Sequence, residues 1–129
     1  MSEATYLKNR WYVAALAQDL KDRPLAASLM GEPIVFYRNS AGKAVALEDR
    51  CAHRQAPLSL GTVDGNRLRC GYHGFEFDGS GACVRVPTQT QIPPTACVRA
   101  YPVRERQGFL HVWMGDPATA DESLIYDFP

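Results

Sequence analysis

Two short cysteine–histidine pairs constrain this chain more than any other feature of its sequence. Cys51-Ala-His53 and Cys70-Gly-Tyr-His73 are separated by the sixteen residues 54–69, and they use two of the three histidines in the chain. All four side chains are competent metal ligands. Chance is a poor explanation for this pattern, so the sequence predicts two loops that share one metal site.

The rest of the sequence predicts an all-β protein. Its 10 glycines and 9 prolines fall between short runs rich in Val, Phe, Tyr and Leu, which is the spacing of strands and turns. Hairpins are expected between 34–39 and 44–49, between 75–78 and 82–86, and between 99–105 and 109–114. Gly79 and Gly81 are expected to provide positive φ values in the second hairpin. A helical turn or two is expected only around 15–20, and residues 87–97 are expected to form an irregular surface excursion.

Length and charge narrow the function classes. The 129 residues suit one domain, 1–129, and a formal net charge of zero leaves no basic excess for a nucleic acid partner. The apolar stretch 11–17 is too short to span a membrane, and no basic segment followed by an apolar one marks a signal peptide. A cytoplasmic protein without membrane contact is therefore expected, in which cysteines bind metal more often than they form disulfides.

Three interpretations of the four candidate ligands compete. The cysteines could be small buried hydrophobes beside ordinary histidines. A Cys₂His₂ set also suits structural zinc, although zinc ribbons usually present C-x-x-C knuckles. In the third interpretation each loop delivers one thiolate and one imidazole to a [2Fe–2S] cluster, so that Cys51 and Cys70 hold one iron while His53 and His73 hold the other.

The residues around both pairs favour the third interpretation. The string Cys51-Ala-His-Arg-Gln-Ala-Pro-Leu-Ser-Leu-Gly61, followed by Cys70-Gly-Tyr-His-Gly-Phe-Glu-Phe-Asp-Gly-Ser-Gly-Ala-Cys83, resembles the N-terminal domain of Rieske non-haem iron oxygenases. The resemblance is strongest to the branch of aromatic monooxygenases and O-demethylases typified by vanillate O-demethylase and dicamba monooxygenase. The lead 9–16 and Gly115-Asp116-Pro117 also look like that branch.

The resemblance implies a Rieske fold of antiparallel sheets with a two-loop cluster-binding subdomain at about 50–86. Respiratory Rieske proteins carry a disulfide between these loops, but Ala56 and Tyr72 stand at the corresponding positions here. The potential is therefore expected at the low end of roughly −150 to +300 mV. Cys83 and Cys97 are expected to be reduced thiols. Four residues are expected to shape the loops: Pro57, Gly61, Gly71 and Gly74.

The expected function is one-electron transfer. In the resembled enzymes, a reductase or ferredoxin supplies the electron, which leaves through the position of His73 to a mononuclear iron of a catalytic domain or a neighbouring subunit. That iron needs two histidines and a carboxylate, whereas only His111 remains here, and we expect it to be a structural strand residue. The catalytic C-terminal domain is therefore expected to be absent, and no residue is assigned a catalytic role. The chain alone is expected to transfer electrons without catalysing oxygenation. A stand-alone Rieske-type ferredoxin and a structural Cys₂His₂ zinc module are the alternatives.

The charge distribution suggests how a donor could approach. Residues 50–73 contain four arginines and one acid, a charge of +3, whereas residues 115–129 contain four acids and no Lys or Arg. Arginines near the cluster are expected to steer an acidic donor protein.

Overall fold

The computed structural model describes residues 9–51, 57–71, 74–86 and 97–125, and these form three antiparallel sheets. The strands are β1 (Arg10–Leu16), β2 (Leu25–Leu29), β3 (Glu32–Arg38), β4 (Ala44–Glu48), β5 (Thr62–Asp64), β6 (Arg67–Arg69), β7 (Glu76–Phe77), β8 (Cys83–Arg85), β9 (Ala100–Tyr101), β10 (Val103–Arg106) and β11 (Phe109–Met114). Their orders are β1-β11-β10, β2-β3-β4-β9 and β5-β6-β7-β8. No α-helix occurs among the described residues, so the all-β prediction is confirmed.

The sheet β2-β3-β4-β9 lies between two hydrophobic cores. Val35 and Tyr37 of β3 pack into a core shared with β6 and β7, whereas Ile34 and Phe36 pack into a second core shared with β11. Because β3 is covered on both faces, its sequence reads as a continuous apolar run instead of alternating with polar residues. Two separate cores therefore lie on opposite faces of one central sheet.

The two earlier hairpin predictions are confirmed. β3 pairs antiparallel with β4, and β7 pairs antiparallel with β8. In the second turn, however, only Gly81 has a positive φ, +87°; the expectation for Gly79 is wrong. One left-handed residue suffices there because the backbone N–H of Gly81 donates to the carbonyl of Asp78, and the Asp78 carboxylate accepts from the N–H of Ser80.

The third predicted hairpin is correct only in its second half. β10 pairs with β11, but the segment predicted as one strand over 99–105 is divided at Pro102. β9, before the proline, pairs with β4 of the central sheet. Proline has no N–H to donate to a ladder, so the chain leaves one sheet and enters the other at this residue.

The helical turn expected around 15–20 is present only as a single 3₁₀ turn, Ala17–Asp19. β1 extends to Leu16 and pairs with β11 on both sides of a register shift between Val13 and Ala15, so residues 15 and 16 belong to the strand. Pairing with β11 outweighs the local helix preference of the alanines. β1, β2, β5 and β6 were not predicted as strands. Residues 87–96 of the predicted excursion lie outside the described residues.

Within the described ranges, no helix has the length and apolar character needed to cross a membrane.

Candidate metal centre

The two predicted thiol ligands each follow a strand, one in the central sheet and one in the sheet β5-β6-β7-β8. Cys51 follows β4 by three positions, and Cys70 follows β6 directly. Each is only 2% exposed. Both belong to the same apolar core, together with Leu58, Leu68 and Phe77. The structure therefore brings these two cysteines, 19 positions apart in the sequence, into one buried region.

The first loop is closed at its base by a side-chain clamp. The Asp49 carboxylate accepts hydrogen bonds from the backbone N–H of Ser59 and from its hydroxyl, both at 2.7 Å. The N–H of Asp49 in turn donates to the carbonyl of Pro33 at 3.0 Å. Pro57, in extended conformation, precedes the 3₁₀ turn Leu58–Leu60 that carries Ser59. Sequence reasoning missed this clamp, because nothing local in the sequence links positions 49 and 59.

The second loop is closed by backbone hydrogen bonds on both sides of Cys70. Its N–H donates to the carbonyl of Phe75 at 2.7 Å, and its carbonyl accepts from the N–H of Gly74 at 3.1 Å. Gly74 has a φ of +74°, a conformation that glycine adopts without strain. Gly74 therefore shapes the loop, as predicted. The N–H of Gly74 donates within the loop, to the Cys70 carbonyl.

The two loops touch through glycines. A Cβ atom at Gly61 would lie 1.8 Å from the carbonyl oxygen of Arg69, and one at Gly71 would lie 3.0 Å from the carbonyl oxygen of Leu60. Only glycine allows the backbones to approach this closely. This contact places Leu60 and Gly61, at the end of the first loop, next to the residues on either side of Cys70.

The predicted histidine ligands lie outside the described residues. His53 falls in the gap 52–56, and His73 falls with Tyr72 in the gap 72–73. Their role as ligands stays a prediction. His111, by contrast, is buried on β11, and its Nε2 lies 3.4 Å from the carbonyl oxygen of Arg106. That placement fits the structural role expected for it.

The other two cysteines, Cys83 and Cys97, are not joined by a disulfide in the structure. Cys83 is buried, and its thiol lies 3.5 Å from the carbonyl oxygen of Arg85. Burial raises the pKa of this thiol, and the hydrogen bond to Arg85 offsets part of that effect. Cys97 is exposed. It follows the gap 87–96 and lies opposite Ala82 in an isolated bridge.

A buried carboxylate with three arginines lies next to the second loop. Glu76 is only 2% exposed. Its carboxylate oxygens lie 3.4 Å from Arg67, 3.1 Å from Arg69 and 3.5 Å from Arg85. Sequence reasoning missed Glu76 and Arg85. An acid between Phe75 and Phe77 at the start of a predicted strand was the available signal.

Comparison with known proteins identifies the family. The model of the Rieske [2Fe-2S] domain matches residues 10–102. The chain is 54% identical over 121 residues, 94% of its length and 35% of the relative's, to an iron-sulfur subunit assigned to a toluene-4-sulfonate monooxygenase system of Comamonas testosteroni. It is 45% identical to the vanillate O-demethylase oxygenase subunit of a Pseudomonas species, covering 92% of this chain and 33% of that subunit.

A solved structure agrees with the sequence matches. Dicamba monooxygenase bound to dicamba superposes with a TM-score of 0.91 at 44% identity, covering 95% of this chain and 37% of that one. The chain thus spans about a third of the length of the proteins it matches. With its three antiparallel sheets and two buried loop cysteines, the chain belongs to the Rieske [2Fe–2S] domain family.

Proposed function

We propose that this domain transfers single electrons from a donor protein to an iron centre that residues 1–129 do not hold. The observation that carries the proposal is the burial of Cys51 and Cys70 in one core, at the ends of two loops that touch through Gly61 and Gly71. Membership of the Rieske [2Fe–2S] family supports it. A bound [2Fe–2S] cluster with mixed Cys and His ligands supplies one-electron redox chemistry at roughly −150 to +300 mV.

The residues present fit such a cluster. Cys51 and Cys70 would hold one iron as thiolates, and their burial keeps water away from it. His53 and His73 would hold the other iron as neutral imidazoles, each with its second ring nitrogen left over. We propose the second nitrogen of His73 as the hydrogen-bonding group toward the acceptor.

The loop contacts give these ligands a fixed frame. Asp49 holds Ser59 through two hydrogen bonds and so fixes the two ends of the first loop. The hydrogen bonds at Cys70 hold the second loop to Phe75 and Gly74. Rigid support of this kind limits the movement of the ligands when the charge of the site changes by one electron.

The acceptor is proposed to be a mononuclear iron of an oxygenase. Beyond the two proposed ligands, the 129 residues contain one histidine, His111, and it is buried in β11. A site of two histidines and one carboxylate therefore needs residues from elsewhere. The relatives are named for toluene-4-sulfonate, vanillate and dicamba, so we propose that the complete system oxidises an aromatic anion.

The donor is proposed to be a reductase or a ferredoxin, because the matched relatives are named as subunits of larger systems. The cytoplasm is the proposed location, where all four cysteines stay reduced unless they bind metal.

The test is the metal content and redox behaviour of the purified chain. We expect a red-brown protein with roughly two irons and two acid-labile sulfides per chain, reducible by dithionite with loss of visible absorbance. Cys51→Ser and Cys70→Ser should abolish the colour, whereas Cys97→Ser, at an exposed thiol, should leave the iron content unchanged. A colourless protein with one zinc per chain would instead support a structural zinc module.

The histidine assignments have their own test. His53→Cys and His73→Cys each replace a neutral ligand with an anionic thiolate, so each should lower the potential if the cluster assembles. A potential that is unchanged in both variants contradicts the assignment.

A further inference from the structure

The outer face of the sheet β5-β6-β7-β8 carries the charged residues beside the second loop. Its inner face packs Leu68, Phe77 and Cys83 into the core. On the outer face, strand register places Arg69 opposite Glu76, and Glu76 opposite Arg85. This sheet therefore presents its charges on the side away from the core.

A register shift makes this arrangement possible. Phe77 pairs with Cys83, yet the neighbouring Glu76 pairs with Arg85 and not with Val84. An extra residue in one strand brings the following side chain to the opposite face. Arg85 joins Arg67 and Arg69 around Glu76 for this reason.

The face is positive toward solvent. The side chains of Arg67, Arg69 and Arg85 are 47%, 43% and 58% exposed, whereas that of Glu76 is 3% exposed. Asp64 is the one exposed acid among these contacts, and it lies 3.2 Å from Arg69. The buried carboxylate thus holds three guanidinium groups in place while leaving part of each available to a partner.

An exposed leucine lies in the turn before β5, at the end of this sheet nearest the loops. Leu60 is 78% exposed, the most exposed of the large hydrophobic residues that the structure describes. Its carbonyl approaches Gly71, and Thr62, two positions later, pairs with Arg69. An apolar contact beside a charged rim is the usual anatomy of a protein interface.

An acidic partner is needed to match this charge, and a second copy of this chain is a poor match. Its most acidic segment is the tail, but the acids described there already have internal partners. Asp116 accepts from the N–H of Ala118, Asp121 accepts from the N–H of Ser123, and Glu122 pairs with Arg104. A separate protein with unengaged carboxylates fits the face better.

We propose that the outer face of β5–β8, together with Leu60, is the docking surface for a small acidic electron-transfer protein, the donor in the proposed function on which this inference rests. The three arginines accelerate and orient its approach, and Leu60 prolongs its contact close to Cys70. Charges at an interface mainly set the association rate, whereas short-range packing mainly sets the dissociation rate.

The test measures both rates by surface plasmon resonance, with a plant-type [2Fe–2S] ferredoxin of net negative charge as the probe and the cluster-loaded chain immobilised. Arg67→Glu and Arg85→Glu should each lower the association rate about tenfold at low ionic strength, and less than about twofold near 0.5 M salt, where screening is strong. Leu60→Ser should raise the dissociation rate about fivefold with an unchanged association rate.

Arg10→Glu is the matched control, because Arg10 is an exposed arginine of β1 in a different sheet. It should change the association rate less than twofold. If charge reversal lowers the melting temperature, Arg85→Gln provides a milder variant. We expect it to lower the association rate about threefold.

Equal effects of Arg10→Glu and Arg85→Glu would overturn the docking surface, as would the absence of measurable ferredoxin binding. A homodimer in analytical ultracentrifugation that Arg85→Glu abolishes would assign the surface to a second copy and overturn the proposal as well.

Reduction by dithionite separates the docking proposal from the proposed function. A chain that is reducible but does not discriminate among these variants defeats only the docking surface, whereas a chain without a cluster defeats the proposed function itself.

Discussion

At the residue scale, the site depends on backbone approaches that a single methyl group would prevent. Gly61 is the most demanding position, since a Cβ there would overlap the carbonyl oxygen of Arg69 at 1.8 Å. Arg69 immediately precedes Cys70, so a shift of this carbonyl displaces a proposed ligand. Gly79 is the contrasting case: a Cβ there would make only ordinary contacts, at 3.6 Å or more, with Val45 and Tyr37.

Gly61→Ala is therefore expected to destabilise the domain by about 3 kcal/mol or more, because a backbone atom and not a flexible side chain must move. Iron content should fall with it. Gly79→Ala should change the stability by less than about 1 kcal/mol, since its φ is not positive. Thermal unfolding and iron analysis of both variants measure the difference. Equal melting temperatures would show that the loops do not need the close contact at Gly61.

At the element scale, three very short strands bring an unusual number of charged side chains together. β6, β7 and β8 have three, two and three residues, yet four charged side chains meet across them. The buried Glu76 carboxylate compensates arginines that would otherwise repel one another. Such strands have few ladder hydrogen bonds, so cross-strand ion pairs contribute a larger share of their stability.

Glu76→Gln should accordingly destabilise the domain by about 1–3 kcal/mol, less than for a fully buried pair because all three arginines are partly exposed. Glu122→Gln, which removes an exposed pair with Arg104, should cost less than about 0.5 kcal/mol. Melting temperatures of both variants at low and high salt test this. The difference in melting temperature between Glu76→Gln and the unsubstituted chain should depend on the salt concentration. Equal losses in the two variants would contradict a special role of Glu76.

At the scale of the whole molecule, we expect the stability of one hydrophobic core to depend on the metal centre more than the stability of the other. The core that holds Cys51 and Cys70 lies on one face of the central sheet, and the core of Leu110 and Val112 lies on the other. Metal binding couples to folding where the ligands lie. Loss of the cluster should therefore loosen one side of the molecule more than the other.

Hydrogen exchange measured by mass spectrometry checks this expectation. On removal of iron, the amides of β6 and β7 should exchange on the order of 10–100 times faster, whereas those of β11, paired on both sides by β1 and β10, should change less than about threefold. Uniform acceleration across all three sheets would show that the domain unfolds as one unit without its cluster.

Local patterns made much of this fold predictable. The β3–β4 and β7–β8 hairpins follow from short apolar runs around glycine-containing turns, which act over a few residues. The division at Pro102 and the extension of β1 to Leu16 were not predictable in this way. Both depend on which distant strand is available as a partner, namely β4 for β9 and β11 for β1.

The sequence by itself determined the all-β class, through glycines and prolines between short apolar runs. It also determined the four candidate ligands Cys51, His53, Cys70 and His73, whose spacing is readable without coordinates, and the residues around them carry the resemblance to the family. Only the tertiary structure decided that Cys51 and Cys70 share one buried core, that Asp49 clamps the first loop, and that Glu76 gathers three arginines. The physical reason is distance along the chain. Contacts between segments seven or more residues apart depend on sheet order and register, and these are properties of the folded chain as a whole.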